Sequence, residues 1–475
     1  MLAEGRIVHP RGLIPMLAVA ASCTSSASAQ SSPTRAVTRD RIAAGVDSIA
    51  ADALRGGQVA GMSIAVVRGR DTLVLKAYGK ADLELDVPTP DRAVYEIGSV
   101  TKQFTATAIL QLMEQGKLSL DDELTKYLPR YPMQGHRVTL RRLLDHTSGI
   151  FGYTEIPETQ VMNLRPAPHD SVVALFAAKP FAFEPGTAEV YSNSGYFLLG
   201  LVIEKVSGLP YELYVQRNLF DRVGMRDSRY CSNSAVVPRR VHGYDFDEGR
   251  LTLPRYIDFS WPYAAGSLCS TVGDLVAWTR ALHGGALLGP AAYHELITPG
   301  TLNDGTPLRY AKGIAADSVL GHRQIHHGGA IPGFTSEVAY LPDDTLTVVV
   351  LVNTAGPVTP EGTAQSIVRL ALGDRSVAKA FRGHAAEYVG EYRGLGRGRE
   401  LVLRVRADTA NRLTLQFRDL PPASLVYTGG ETFMVGSARY TFVREAGRVT
   451  KLHVDLIGHN SIATRQPVAE RVASP

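Results

Sequence analysis

The stretch Tyr95-Glu96-Ile97-Gly98-Ser99-Val100-Thr101-Lys102-Gln103-Phe104 leads into a segment whose apolar residues, among them Phe104, Ala108 and Leu112, recur at helical spacing. The spacing predicts a helix from Ser99 to Glu114, with Gly116 just beyond its end. Ser99 and Lys102 stand three residues apart at its opening turn and so share one face. That geometry lets an amine take the proton of a hydroxyl without a catalytic histidine. Read alone, Ser99 is equally a helix cap and Lys102 a solvated helix residue. The pattern recurs at Ser376 to Lys379, where no long amphipathic segment follows.

Outward from this stretch the chain reads as a layered fold. Ile42, Val46, Ile49 and Leu54 mark an amphipathic helix over 37–56, stopped at Gly56-Gly57. Gly61 to Arg68 and Asp71 to Tyr78 are β-rich runs hinged at Gly69-Arg70, a hairpin signal. A helix laid across an antiparallel sheet is the expectation. Residues 120–300 are mostly helical, for example Leu140 to Leu144, Ser171 to Ala178, Gly195 to Ser207 and Thr271 to Leu282. Ser336 to Leu341 and Leu346 to Asn353 are strands joined across Pro342-Asp343-Asp344, and a helix from Gly362 to Leu372 follows. The class is α/β: an antiparallel sheet flanked by helices, plus an all-helical region. From Ala385 short alternating runs separated by turn residues predict a small antiparallel barrel or sandwich.

A chain of 475 residues accommodates a large catalytic domain with an accessory module. The formal net charge is only +4 and no dense Lys/Arg cluster occurs, which excludes nucleic acid as a partner. Arg6 and Arg11 precede the apolar stretch Leu13 to Ala21, and Ala27-Ser28-Ala29 offers a cleavage site. Residues 1–29 therefore read as an export signal cleaved after Ala29, too short for a permanent span, which makes the protein secreted or periplasmic. Cys23 offers a lipoprotein alternative. Cys231 and Cys269 are then the remaining cysteines, read as two unpaired, partly buried thiols, with a disulfide in an oxidising compartment as the alternative. No zinc-type Cys/His spacing and no His-Glu-x-x-His occurs, so no metal or organic cofactor is implied.

Two further motifs follow the first in order. Tyr191-Ser192-Asn193 precedes the helix from Gly195, and His327-Gly328-Gly329 precedes Pro332-Gly333-Phe334. Asn193 alone would cap that helix. His-x-Gly also fits at His326 and at His283-Gly284-Gly285, the latter a helix stop; spacing to Pro332 favours His327. No Gly-x-Ser-x-Gly elbow is present.

Taken with Leu143-Leu144-Asp145-His146-Thr147-Ser148-Gly149, Glu184-Pro185-Gly186, Ala265-Gly266-Ser267-Leu268 before Asp274-Leu275, and Gly329 to Phe334, these motifs resemble the class C β-lactamase-like serine hydrolases over residues 37–375. That group also holds penicillin-binding carboxypeptidases, D-aminopeptidases and esterases. The tail, 385–465, resembles the small β-barrels appended to some members. The resemblance implies Ser99 as nucleophile, Lys102 and Tyr191 sharing its proton, and Asn193 holding Lys102 and the substrate amide. It adds the Ala330 N–H to that of Ser99 as oxyanion donor, with His327 and Gly329 bordering the substrate. Gly328 and Gly329 would let substrate approach the strand closely. His146 is read as a turn-ordering residue, and Trp261 and Tyr263 as cleft-lining or simply packed.

Penicillin-degrading members usually carry lysine where this chain has His327, and a neutral imidazole holds a carboxylate weakly. The expected substrate is therefore an ester or small peptide amide. A β-lactam or D-alanyl-D-alanine substrate is the rival within enzymes, and a non-catalytic binding or scaffold protein the rival outside them.

Overall fold

The structure is a computed structural model that describes residues 38–466 apart from 376–378, 396–399, 418–420, 437 and 457–458. The proposed export signal, Cys23 and Ser376 of the second Ser-x-x-Lys lie outside the described residues.

Helix α1 (Arg39–Arg55) starts on Thr38, whose hydroxyl accepts from the Arg41 N–H, and stops at Gly56. Strands β1 (Gly61–Arg68), β2 (Asp71–Asp82) and β3 (Val87–Pro88) form the expected hairpin and its edge. Gly69 takes the left-handed conformation the tight turn needs, with φ 57°. Helix α2 (Thr101–Glu114) follows. Further on come β4 (Glu189–Val190), α3 (Asn193–Ser207) and α4 (Val272–His283). The chain then returns to the sheet as β5 (Ala315–Val319), β6 (His322–Ile331), β7 (Phe334–Leu341) and β8 (Leu346–Val352), and leaves it as α5 (Pro360–Leu372).

The sheet is antiparallel in the order β5-β6-β7-β8-β1-β2-β3. Strand β8, Leu-Thr-Val-Val-Val-Leu-Val, is buried at every position because both its faces are covered. Helices α1 and α5 meet where Gly45 admits Leu370, and α4 packs on β1 and β8. A strand with no polar face reads as a continuous apolar run for this reason.

Helix α2 departs from the one-sided helix expected. Every residue from Thr101 to Leu112 is buried, and the helix packs chiefly on other helices rather than across the sheet. Its polar residues survive burial because each finds an internal partner. The Thr105 hydroxyl donates to Ala264 O, Gln103 Oε1 accepts from Trp278 Nε1, and Gln111 donates to Leu287 O.

The cysteines also differ from the reading. Strand Arg229–Tyr230 pairs with Leu268–Ser270, which brings Cys231 and Cys269 to a Cα separation of 5.3 Å in a disulfide. A β-ladder between residues 38 apart leaves no trace in the cysteine spacing.

The C-terminal region is a nearly closed, nine-stranded antiparallel barrel. It comprises β9 (Gly390–Leu395), β10 (Glu400–Ala407), β11 (Leu413–Phe417), β12 (Ala423–Ser424), β13 (Val426–Gly429), β14 (Thr432–Val435), β15 (Ala438–Glu445), β16 (Arg448–Leu456) and β17 (His459–Arg465). Strand β17, His-Asn-Ser-Ile-Ala-Thr-Arg, lacks apolar alternation and escapes a periodicity reading. It pairs with β9 and β16, and its first residues pair with β4, as His459 opposite Val190 and Asn460 opposite Glu189. The barrel is thus hydrogen-bonded to the strand immediately before Tyr191. Among the described residues no helix is long and apolar enough to cross a membrane.

Candidate active site

Ser99 occupies a single 3-10 turn, Gly98–Val100, ahead of α2. The cap position of α2 is Val100 and no side chain caps it, so the Ser99 hydroxyl is not consumed as a cap. Gly98 has φ 50°, and a Cβ there would lie 2.9 Å from the Ala330 nitrogen. Only glycine lets the Ser99 turn and the Ala330 amide come this close.

Lys102 is fully buried. Its Nζ donates to Ser99 Oγ at 3.1 Å, Asn193 Oδ1 at 2.8 Å and Ala265 O at 2.8 Å. It also stands 4.6 Å above the centre of the Tyr191 ring. Asn193 is the first residue of α3. The cap is Ser192, whose hydroxyl accepts from the Gly195 N–H, which corrects the reading of Asn193 as a cap and leaves its amide to Lys102.

His146 brackets Tyr191. Its carbonyl accepts from the Val190 N–H, and its Nδ1 accepts from the Ser192 N–H at 3.1 Å. Its ring lies 4.3 Å from that of Tyr191. The residue adopts φ 62°, so it does order a turn, and that turn holds the second motif against the first.

His327 is buried beneath the site. Its Nδ1 donates to Gly328 O at 2.5 Å, and its Nε2 accepts from the Tyr310 hydroxyl at 2.8 Å. Burial, reinforced by the charge of Lys102, lowers its pKa to about 3, so the ring is neutral near pH 7. His326, its neighbour, points the other way and is salt-bridged to Glu337 at 2.7 Å and Asp317 at 3.6 Å. Strand alternation separates the two histidines.

A cleft of ≈ 190 Å³ opens over Ser99. Ser99, Asn193 and Ala330 line it, whereas Lys102, Tyr191, His327 and Gly329 do not. Trp261 lines the cleft; Tyr263 does not, its hydroxyl donating to Glu204 Oε1 at 2.7 Å. The glycines of the third motif are also required by close packing inside the protein. A Cβ on Gly329 would lie 2.1 Å from Ile97 O, and one on Gly328 would lie 3.0 Å from Glu337 Oε2. At these two positions the missing side chains admit the Ser99 segment and the Glu337 carboxylate. Sequence reasoning missed Tyr310 and Arg255, a cleft residue, because each is isolated in its segment without a motif. Among the described residues Asp82, Glu84 and His242 bring possible ligand atoms within 4.8 Å of one another, and none lines the cleft.

Penicillin-binding protein 4* of Bacillus subtilis (strain 168) is 28% identical over 307 residues, which is 61% of this chain and 67% of that protein. A D-aminopeptidase of Cereibacter sphaeroides is 28% identical over 393 residues, covering 82% of this chain and 72% of its own length. A solved D-stereospecific amidohydrolase from Streptomyces sp. superposes with a TM-score of 0.61 at 28% identity, over 69% of this chain and 98% of that one. The profile of the Beta-lactamase family matches residues 46–372, well over half the length, and the chain belongs to that family of hydrolases.

Proposed function

We propose that the chain is a secreted serine hydrolase that cleaves an ester or small peptide amide through an acyl-enzyme on Ser99. The observation that carries this reading is the set of partners around Lys102. Asn193 Oδ1 and Ala265 O can only accept, so they take two N–H bonds of the amine. In its neutral form the amine has one lone pair left, and that lone pair can accept the proton of the Ser99 hydroxyl, whose oxygen stands 3.1 Å away.

In the reaction the Ser99 oxygen attacks the carbonyl carbon and its proton passes to the Lys102/Tyr191 pair. The developing oxyanion is met by the Ser99 and Ala330 N–H groups. The pair returns the proton to the leaving alcohol or amine as the bond to carbon breaks. Water then attacks the acyl-enzyme by the same route, releasing the acid and restoring Ser99. Residues 37–375 would form the hydrolase domain and 385–465 the barrel domain, with 1–29 removed on export.

A β-lactamase or D-alanyl-D-alanine carboxypeptidase reading finds no permanent cation at His327, a buried neutral imidazole, and would need its substrate carboxylate held from elsewhere in the cleft. A scaffold without turnover would have no use for an amine buried at this desolvation cost. Ser99→Ala is expected to abolish both nitrophenyl-ester turnover and fluorophosphonate labelling while the circular dichroism spectrum stays native. Labelling retained at another serine would move the nucleophile. A parallel panel of nitrophenyl ester, D-alanyl dipeptide and cephalosporin should show turnover of the ester and the least turnover of the cephalosporin.

A further inference from the structure

The cleft over Ser99 carries a single charged side chain, Arg255. It is exposed, in the loop that precedes the helix Tyr263–Gly266. Its Nη1 donates to Gln160 O at 2.6 Å and to Asn163 Oδ1 at 3.3 Å, and both of these residues also line the cleft. The guanidinium is therefore held at the rim through one nitrogen, and its other N–H groups are not spent on protein acceptors. No carboxylate among the described residues pairs with it, and no Asp or Glu lines the cleft.

The other cations near the nucleophile are committed elsewhere. Lys102 faces Ser99, Asn193 and Ala265, and His327 is neutral with both ring nitrogens engaged. A substrate bearing a protonated amine would meet one positive charge in this cleft and no negative one. A substrate bearing a carboxylate would meet a planar, anchored guanidinium, the group best suited to a two-point hydrogen bond with it.

We propose that the substrate carries a free carboxylate and that Arg255 binds it from the rim of the cleft, supplying the recognition that position 327 cannot. The proposal rests on Ser99 being the nucleophile and adds the chemical class of its substrate: an anionic ester or amide.

Two matched pairs of esters test it and locate the charge. On the acyl side the pair is 4-nitrophenyl hydrogen adipate and 4-nitrophenyl hexanoate. On the leaving-group side it is the butyryl esters of 3-hydroxybenzoate and 3-hydroxybenzamide. In one pair the full-length protein is expected to favour the anion by ~10–100-fold in kcat/KM at low salt, as befits a charge-assisted hydrogen bond. Arg255→Gln should bring that ratio close to one through KM, and Arg255→Lys should leave an intermediate ratio. Protection of the nucleophile from a fluorophosphonate by adipate, compared with adipamide, gives the same comparison without turnover. Absence of any preference for the anion in both pairs and in protection, or a preference that survives in Arg255→Gln, overturns the proposal. Turnover persisting in Ser99→Ala would instead overturn the nucleophile assignment, and the Arg255 ratio would still be readable.

Discussion

Gly329 shows how much of this site is decided by one missing methyl group. A Cβ there would stand 2.1 Å from Ile97 O and 2.4 Å from Ser336 Oγ, and the Ser336 hydroxyl itself donates to Ile97 O at 2.9 Å. Ile97 lies two residues before Ser99, so strand β6 presses directly on the turn that carries Ser99. Gly329→Ala should cost about 1–3 kcal/mol of stability through overpacking. Its effect on turnover should be larger, a fall of ~100-fold in kcat, because a small displacement of a reacting group is amplified in rate. The check is a burst-phase assay with a nitrophenyl ester beside an unfolding curve; a native kcat would show that the contact only packs. Gly98, with its positive φ and the Ala330 nitrogen beside it, makes the same point from the turn that faces the strand.

At the scale of the element, strand β6 divides two jobs between consecutive histidines. His327 faces Tyr310 and the underside of the site, while His326 faces Asp317 and Glu337. Burial alone would lower the pKa of His326, but the two carboxylates outweigh it and raise the value to about 10. A histidine whose folded pKa is raised contributes stability fully below its unfolded pKa, near 6.5, and loses it as pH climbs through about 10. His326→Gln should therefore cost ~3 kcal/mol at pH 6, by leaving buried carboxylates without their cation, and progressively less above pH 9. Denaturant unfolding of both proteins from pH 6 to 10.5 measures the difference; a gap constant across that range would mean that the imidazolium is not what stabilises the strand.

For the whole molecule the question is what the barrel does for the hydrolase. Strand β17 is paired with β4, whose next residue is Tyr191. Beside that seam Arg309 pairs with Asp317 at 2.6 Å and reaches across to Asp455 of β16, whose backbone carbonyl it also meets at 3.2 Å. Glu189 is wholly buried there, and burial, together with Asp455 and Asp145, pushes its carboxyl well above the usual range. Arg309→Met would strand the carboxylates on both sides of the seam. It is expected to cost ~3 kcal/mol or more and to lower kcat, because the strand pairing that seats Tyr191 loosens with it. Limited proteolysis between residues 376 and 384 alongside turnover would reveal this; cleavage without loss of activity would make the barrel a passenger.

The sequence by itself determined the sheet hairpins, the bundle of helices, the barrel's cadence and the order of Ser99, Tyr191 and His327, since each is written in local periodicity or in a short motif. It could also separate His326 from His327 by spacing to Pro332. The tertiary structure alone decided which cysteines meet, that Ser192 rather than Asn193 caps its helix, and that α2 is enclosed on all sides. It alone set His146 around Tyr191 and joined the barrel to the segment before that tyrosine. Apart from the Ser192 cap, these are contacts between residues tens to hundreds of positions apart, and only the closed fold brings such partners together.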